Sequence, residues 1–178
     1  MHAKKVILLF IFSFIFYFVH SQSFIPQIWY FGQYAGIDFT YNYPVALDNS
    51  QMSTPEGCAV DNSCQFYGNG ENIWGLTNGS NLKGDMLSSS SLVFINCIDS
   101  DTTYAFTTDA AAGADGLRYN IISQPLNGSG YDITVKNKLL IPKVSEKLAV
   151  ARHCTLNEYW LITHEWNSSN FYAYHVRS

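Results

Sequence analysis

The sequence has few charged residues and no cluster of basic ones. Charged side chains make up 13% of the 178 residues, about half of the share in an average globular domain. Beyond the first five residues the lysines and arginines are scattered, which argues against nucleic acid and anionic membrane surfaces as partners. Abundant Tyr, Phe, Trp, Asn, Ser and Gly are typical of an extracellular β protein.

The sequence also lacks the motifs of common catalytic and metal sites. No G-x-S-x-G surrounds the serines at 88–91, and no C-x-x-C occurs, so a serine hydrolase, a zinc ribbon and a thioredoxin-like site are unsupported. No recognisable frame pairs two acids for glycoside hydrolysis. Turn capping and ion pairing are the simpler roles for the candidate carboxylates, which are Asp38, Glu56, Asp109, Glu146 and Glu165. We therefore expect no catalytic residues and no cofactor.

Residues 1–21 have the pattern of a helical secretory signal peptide. Two lysines precede the apolar run of residues 6–19, and a small residue, Ser21, ends the segment. The run is shorter than the ~20 apolar residues of a membrane-spanning helix, so an uncleaved anchor is the weaker alternative. We expect cleavage before Gln22. The remaining residues, 22–178, form one exported domain without a membrane span, in the periplasm, at the surface or outside a bacterial cell.

Four cysteines remain after cleavage: Cys58, Cys64, Cys97 and Cys154. An oxidising compartment permits disulfides, and four cysteines allow three pairings. Buried free thiols are an equally strong interpretation, because Cys58 and Cys154 fall in apolar strand-like segments where cysteine acts as a small hydrophobic residue.

Short β segments separated by polar turns fill the rest of the chain, which predicts an all-β sandwich, barrel or propeller. One window, 145–153, is compatible with either helix or strand. The predicted strands are 28–31, 57–60, 65–67, 72–75, 92–95, 103–107, 118–123, 131–140, 149–153, 159–164 and 171–177.

A weak internal repeat favours the propeller. Aromatic hairpins at 65–74, 104–122 and 159–176 begin about 40 and 55 residues apart, close to the period of a four-stranded blade. About three such units are fewer than the ~4 to 8 of a closed propeller. We therefore expect a WD-repeat-like, partial β-propeller that is the N-terminal part of a larger protein. Its open sheet face and strand edges favour association.

Short motifs along the chain resemble a known family. They occur in the order Trp29-Tyr30-Phe31-Gly32, Ala35-Gly36-Ile37-Asp38-Phe39, Glu56-Gly57-Cys58-Ala59, Phe66-Tyr67, Asn72-Ile73-Trp74, Gly116-Leu117-Arg118-Tyr119, Ser145-Glu146-Lys147-Leu148, His153-Cys154, Tyr159-Trp160 and His164-Glu165-Trp166-Asn167. This pattern resembles the start of gliding-motility-associated, type IX secretion cargo proteins. The resemblance implies a WD-repeat-like propeller on a surface protein that continues into further blades and a C-terminal sorting domain, neither of which this chain contains.

Three histidines and one loop have features of metal sites, and simpler roles also fit them. His153, His164 and His175 are spaced eleven residues apart on predicted neighbouring strands, and Glu165 could be a fourth ligand. Packing and hydrogen bonding within strands is the simpler role. The segment 109–116 resembles a calcium loop, but alanines occupy its intervening positions. A plain hairpin loop fits it better, and we expect no metal.

The aromatic surplus has two interpretations. Tryptophans can form a carbohydrate-binding platform, but in propellers they more often pack between sheets; we expect packing for Trp74 and Trp160. Trp166 with Asn167, in a predicted loop, is the best candidate for a surface contact. The sequence favours an exported, non-catalytic module that binds a protein or glycan, of the adhesion or gliding type. A secreted carbohydrate-binding or polysaccharide-acting protein is the alternative, and a fragment without a function of its own is a third.

Overall fold

A computed structural model describes residues 26–55, 57, 59–97, 100–125 and 130–177. The predicted signal peptide and its cleavage site lie outside these residues, as do Glu56 and Cys58. Within the described ranges, no helix is long and apolar enough to span a membrane.

The described residues form strands joined by turns, with one short 3-10 turn, so the predicted all-β class is confirmed. The strands are β1 (Ile28–Tyr30), β2 (Gly36–Asp38), β3 (Val45–Leu47), β4 (Ala59–Val60), β5 (Tyr67–Gly68), β6 (Ile73–Trp74), β7 (Leu92–Asn96), β8 (Thr103–Thr108), β9 (Leu117–Ser123), β10 (Asp132–Ile141), β11 (Val144–Arg152), β12 (Tyr159–Glu165) and β13 (Phe171–Val176), and the 3-10 turn is Ala110–Ala112. The window 145–153 is therefore a strand.

The strands form four antiparallel sheets, each built from strands that are consecutive in the chain. The first sheet has the order β1-β2-β3, the second β4-β5-β6, the third β7-β8-β9-β10 and the fourth β11-β12-β13. The three predicted hairpins are the pairs β5/β6, β8/β9 and β12/β13. The first sheet is an addition to the three predicted units, and only its first strand was predicted.

Polar side chains and special backbone angles define the turns. Buried Asp61 accepts hydrogen bonds from the backbone N–H of Phe66 at 2.6 Å and from that of Ser63 at 3.0 Å, which fixes the predicted turn before β5. Gly116, which precedes β9, has φ 62, and a Cβ there would collide with the carbonyl oxygen of Ile141. Glycine is therefore required at this position.

Two apolar clusters hold the sheets together, one on each face of the third sheet. Successive residues of a strand point to opposite faces, so Ala105 belongs to the cluster shared with the second sheet and Phe106 to the cluster shared with the fourth. The first cluster is Ala59, Phe66, Ile73, Leu82, Leu92, Ala105, Ile122 and Ile133. The second is Ile95, Phe106, Leu117, Ile141, Val144, Leu161 and Val176. The third sheet is thus covered on both sides.

Aromatic rings connect the first sheet to the second. The rings of Tyr30 and Tyr67 lie 4.3 Å apart, and Tyr67 stacks on Trp74 at 5.5 Å. The Tyr67 hydroxyl accepts a hydrogen bond from the N–H of Gln51 at 2.9 Å, and burial raises the pKa of Tyr67. Trp74 therefore takes part in packing, the role that the sequence favours for it.

The exposed edge of β10 is closed by one side chain. The Asn78 amide donates to the carbonyl oxygen of Ile133 at 3.2 Å and accepts from the N–H of the same residue at 2.9 Å. Lys136 Nζ adds hydrogen bonds to the carbonyl oxygens of Asn78 and Ser80. A segment that follows the second sheet thereby occupies backbone groups that an edge strand leaves unpaired.

Candidate interaction surface on the fourth sheet

The fourth sheet has one buried face and one face that no other sheet of the described residues covers. Leu161, Tyr174 and Val176 point into the cluster shared with the third sheet. The side chains between them point the other way, because side chains alternate along a strand. We call this second surface the outer face; it consists of Ala149, Ala151, Trp160, Ile162, His164, Phe171, Ala173 and His175.

The eight residues of the outer face are Ala, Ile, Trp, Phe and His, and the carboxylate of Glu158 contacts this face at His175. The three alanines are exposed, and Phe171 is 73% exposed, the highest exposure among the large hydrophobic residues described. Trp160 and Ile162 are half-buried by their neighbours on the same face. A contiguous surface of this kind typically marks a contact with another macromolecule.

Two histidine rings lie beside Trp160, and their centroids are only 5.8 Å from each other. The His175 ring stacks on the indole with centroids 4.5 Å apart and planes inclined by 18°, while the His153 ring lies at 6.3 Å with an inclination of 29°. His175 Nε2 also lies 2.5 Å from a carboxylate oxygen of Glu158. The close stacking of His175 thus covers one ring face of the indole.

The three histidines lie along one side of the fourth sheet without converging on one point. The ring centroids of His153 and His175 are 5.8 Å apart near Trp160, whereas His164 contacts Phe171 at 4.8 Å. Glu165, the proposed fourth ligand, accepts a hydrogen bond from Asn170 Nδ2 at 2.8 Å. Among the described residues, no group of three or more His, Cys, Asp or Glu side chains is arranged to hold a metal.

Trp166 and Asn167 occupy the turn between β12 and β13. Both are exposed, Trp166 by 48%. Asn167 has φ 52, a conformation that asparagine tolerates better than most residues. The structure thus places the predicted surface contact at the end of the outer face. The outward position of Trp160 was missed, because a strand with large apolar groups at every position suggested cover on both faces.

The described candidate carboxylates lie on different strands and in one loop, where they accept hydrogen bonds. Asp38 accepts from the N–H of Thr40 at 2.8 Å. Glu146 accepts from the N–H of Ala111 at 2.9 Å and from that of Ser89 at 2.8 Å. These hydrogen bonds, that of Ala111 foremost, lower the pKa of Glu146. The pKa of Glu165 is also lowered, first by the hydrogen bond from Asn170 and then by that from Ser168.

The calcium-like segment 109–116 is a compact hairpin loop. Asp109 Oδ2 accepts the N–H of Asp115 at 2.9 Å. Asp115 forms ion pairs with Lys83 at 2.9 Å and Arg118 at 3.1 Å. Lys83 foremost lowers the pKa of Asp115. Both carboxylates are thus engaged with N–H groups or cations, as the simpler interpretation of this loop requires.

The described cysteines occupy three different environments and are all free thiols. Cys97 is buried, and burial raises the pKa of its thiol. Cys64 is half-buried in a turn with φ 58. Cys154 is exposed in the turn after β11, so its prediction as a strand residue is wrong. That error arose because the apolar pattern of β11 ends only two residues earlier.

The serine segment 88–91 lines an open cleft together with Phe31, Gln33 and Met86. Its hydroxyls form hydrogen bonds within the fold: Ser88 with Thr108 at 2.7 Å, and Ser89 with Glu146 at 2.8 Å. The segment therefore fastens the third sheet to the start of β11.

Comparison with protein-family models, with curated proteins and with solved structures gives no match to this chain. The geometry of the outer face and of its turn is therefore the basis for a functional conclusion.

Proposed function

We propose that this chain is an exported, non-catalytic module of the β-propeller type, and that the outer face of its fourth sheet contacts an apolar protein surface. One observation carries the proposal. Five of its eight residues are Ala, Ile or Phe, which are types that also fill the two cores, yet no other sheet of the described residues covers the face.

The arrangement of sheets supports the propeller component. Each sheet is a meander of consecutive strands, and neighbouring sheets share an apolar cluster face to face. Repeated sheets of this kind bury their faces by stacking on neighbours. The outer face then matches the stacking surface of one more sheet, either a further blade or a sheet-like partner. Its exposed alanines and Phe171 favour an apolar partner.

The carboxylates support the non-catalytic component. A catalytic pair needs two carboxyl groups that face one substrate at a defined separation. Here Asp38 accepts the backbone N–H of Thr40, whereas Asp109 and Glu146 are occupied by backbone N–H groups of the loop 109–116. Detectable polysaccharide hydrolysis that is lost on changing any of these acids would contradict this component.

Export and the surface class are proposed from the sequence pattern of the first 21 residues and from the motif resemblance to gliding-associated cargo proteins. In the native bacterium, we expect the protein outside the cytoplasm with an N-terminus at Gln22. Cell fractionation followed by N-terminal sequencing tests this. An intact Met1 in the cytoplasmic fraction would contradict it.

The contact surface is tested by a charge placed on it. Ile162→Lys lies at the centre of the outer face, and Leu139→Lys is a matched control because Leu139 is an exposed leucine on another sheet. We expect Ile162→Lys to reduce binding of the purified protein to outer-surface proteins of its own bacterium at least tenfold, measured by biolayer interferometry. Leu139→Lys should leave it unchanged. Equal loss in both variants would contradict the proposed surface.

Carbohydrate binding is a second candidate, and Trp166 is the observation that favours it. His175 stacks on one ring face of Trp160, and this indole is half-buried, so it is a poorer platform than an exposed tryptophan. Trp166 is exposed at a turn beside Asn167, where an aromatic face and an amide could contact a sugar. On a glycan array we expect Trp166→Ala to abolish any binding and Trp29→Ala, which changes another exposed tryptophan, to retain it.

A further inference from the structure

Strand β13 leaves one row of backbone groups without partners among the described residues. The turn between β12 and β13 closes with a hydrogen bond from the N–H of Glu165 to the carbonyl of Asn170. Because hydrogen-bonded pairs alternate in an antiparallel ladder, the residues at 172, 174 and 176 direct their backbone groups toward β12. Phe171, Ala173 and His175 therefore direct their N–H and C=O groups away from the sheet.

Three other edge strands, β3, β10 and β11, have features that block further pairing, and β13 has none of them. Asn78 covers the edge of β10, as described above. Strand β11 contains a register shift and charged residues, including Glu146, Lys147 and Arg152, and β3 has only three residues. Strand β13 pairs with β12 without a register shift and contains no proline and no Lys, Arg, Asp or Glu. Such an edge is a template for strand addition.

We propose that the edge of β13 pairs with β13 of a second copy of this chain, antiparallel, about a two-fold axis at Ala173. In this register Ala173 lies opposite its own counterpart, Phe171 opposite His175, and Tyr172 opposite Tyr174. Phe171, Ala173 and His175 of each copy then donate N–H groups to the other copy and accept from it through their C=O groups. The two fourth sheets become one continuous sheet.

The composition of β13 makes this strand complementary to itself. Like charges directly opposite each other destabilise a strand pair, and β13 has no permanent charge to repel its copy. Aromatic residues face aromatic residues on both sides of the proposed ladder, and such cross-strand pairs are favourable. The small side chain of Ala173 lies at the axis, where two identical residues must fit together.

A groove beside β13 offers space for the second copy's tyrosines. It runs between the third and fourth sheets and is lined by Tyr119, Ile121, Leu140 and Tyr174, among others. In the proposed register, Tyr172 of the partner subunit lies next to Tyr174 on the side of the sheet that faces this groove. Pairing therefore buries apolar surface in addition to forming backbone hydrogen bonds.

The first test is the oligomeric state of the purified chain by sedimentation velocity over a concentration series. We expect a dimer for the wild type and a monomer for Ala173→Lys, which places two like charges at the axis. Ala149→Lys is the matched control, because it adds the same charge to the same outer face on β11, and we expect it to remain dimeric. Ala173→Pro removes only an outward N–H and should also give a monomer.

The second test reads the register by cysteine cross-linking in a Cys154→Ser background. Directly opposite, hydrogen-bonded residues have Cα atoms about 5.5 Å apart, a separation that a disulfide spans. Mild oxidation should cross-link Ala173→Cys chains to each other, whereas Phe171→Cys alone should remain uncross-linked, since its counterpart is His175.

Three outcomes would overturn the proposal. These are a monomeric wild type at every concentration, a dimer that dissociates with Ala149→Lys but persists with Ala173→Lys, and cross-linking through Phe171→Cys in place of Ala173→Cys. The second outcome would indicate face-to-face stacking of outer faces. None of these results depends on export or on the ligand of the outer face, so failure here leaves the proposed function open to its own test.

Discussion

Two adjacent residues of β12 allow a direct test of the inner and outer faces of the fourth sheet. Leu161 is fully buried against the third sheet, and Ile162 is half-buried on the outer face. Leu161→Ala removes a buried side chain from the second core cluster and leaves a cavity, which we expect to lower the free energy of unfolding by about 3 kcal/mol. Ile162→Ala should cost about 1 kcal/mol, because less apolar area leaves water on folding at that position.

Urea unfolding followed by tryptophan fluorescence measures both changes. With an m-value of about 2 kcal/mol/M, Leu161→Ala should lower the midpoint by about 1.5 M and Ile162→Ala by about 0.5 M. The protein concentration should be low, so that association does not add to the stability. Equal losses in the two variants would refute the assignment of faces, because they would mean that the outer face is as fully covered as the inner one.

Three further results are expected. Hydrogen bonds, that of Ala111 foremost, lower the pKa of Glu146, so the stability that this carboxylate contributes is present above its unfolded pKa and is lost as the pH falls through its folded pKa. Glu146→Gln should therefore reduce the difference between the free energies of unfolding at pH 7 and pH 3. The reduction should be less than about 1 kcal/mol because the site is partly exposed. A difference between the two urea midpoints that equals that of the wild type would contradict this. Asn78→Ala removes both hydrogen bonds to β10 and should cost about 1–3 kcal/mol in thermal unfolding, whereas a loss near zero would show that water replaces the amide. At pH 8 a thiol reagent should label exposed Cys154 quickly and buried Cys97 only on unfolding, and equal labelling rates would contradict the burial of Cys97.

The hairpins could be predicted from sequence because local chemistry determines them. Aromatic and β-branched residues alternate on both sides of turns rich in Gly, Asn and Asp, and the three predicted hairpins all form. The first sheet was largely missed because β2 and β3 have three residues each, which is too short for a period of two to stand out. Its stability depends on contacts between distant residues, such as those of Tyr30 with Tyr67.

The surface could be predicted only in part. Trp166 and Asn167 were recognised because they lie in a polar turn, where exposure follows from the local sequence. The outward position of Trp160 could not be recognised, because Tyr159, Trp160, Leu161 and Ile162 form an unbroken apolar run. Such a run shows that both faces of a strand are apolar, but which face another sheet covers depends on tertiary packing.

The pairing of strands only with their neighbours in sequence has a consequence for how this fold can change. Within the part of the chain that the structure describes, the strands of each sheet follow one another in sequence, and none belongs to two sheets. A duplication or deletion that begins and ends between sheets would therefore add or remove a whole sheet without rethreading the rest. Side-chain hydrogen bonds nevertheless cross between sheets, and those of Asn78 with Ile133 tie the segment after the second sheet to the last strand of the third. Recombination at a point between Asn78 and Ile133 would separate the amide from the backbone groups that it binds. The second and third sheets are therefore expected to be inherited together.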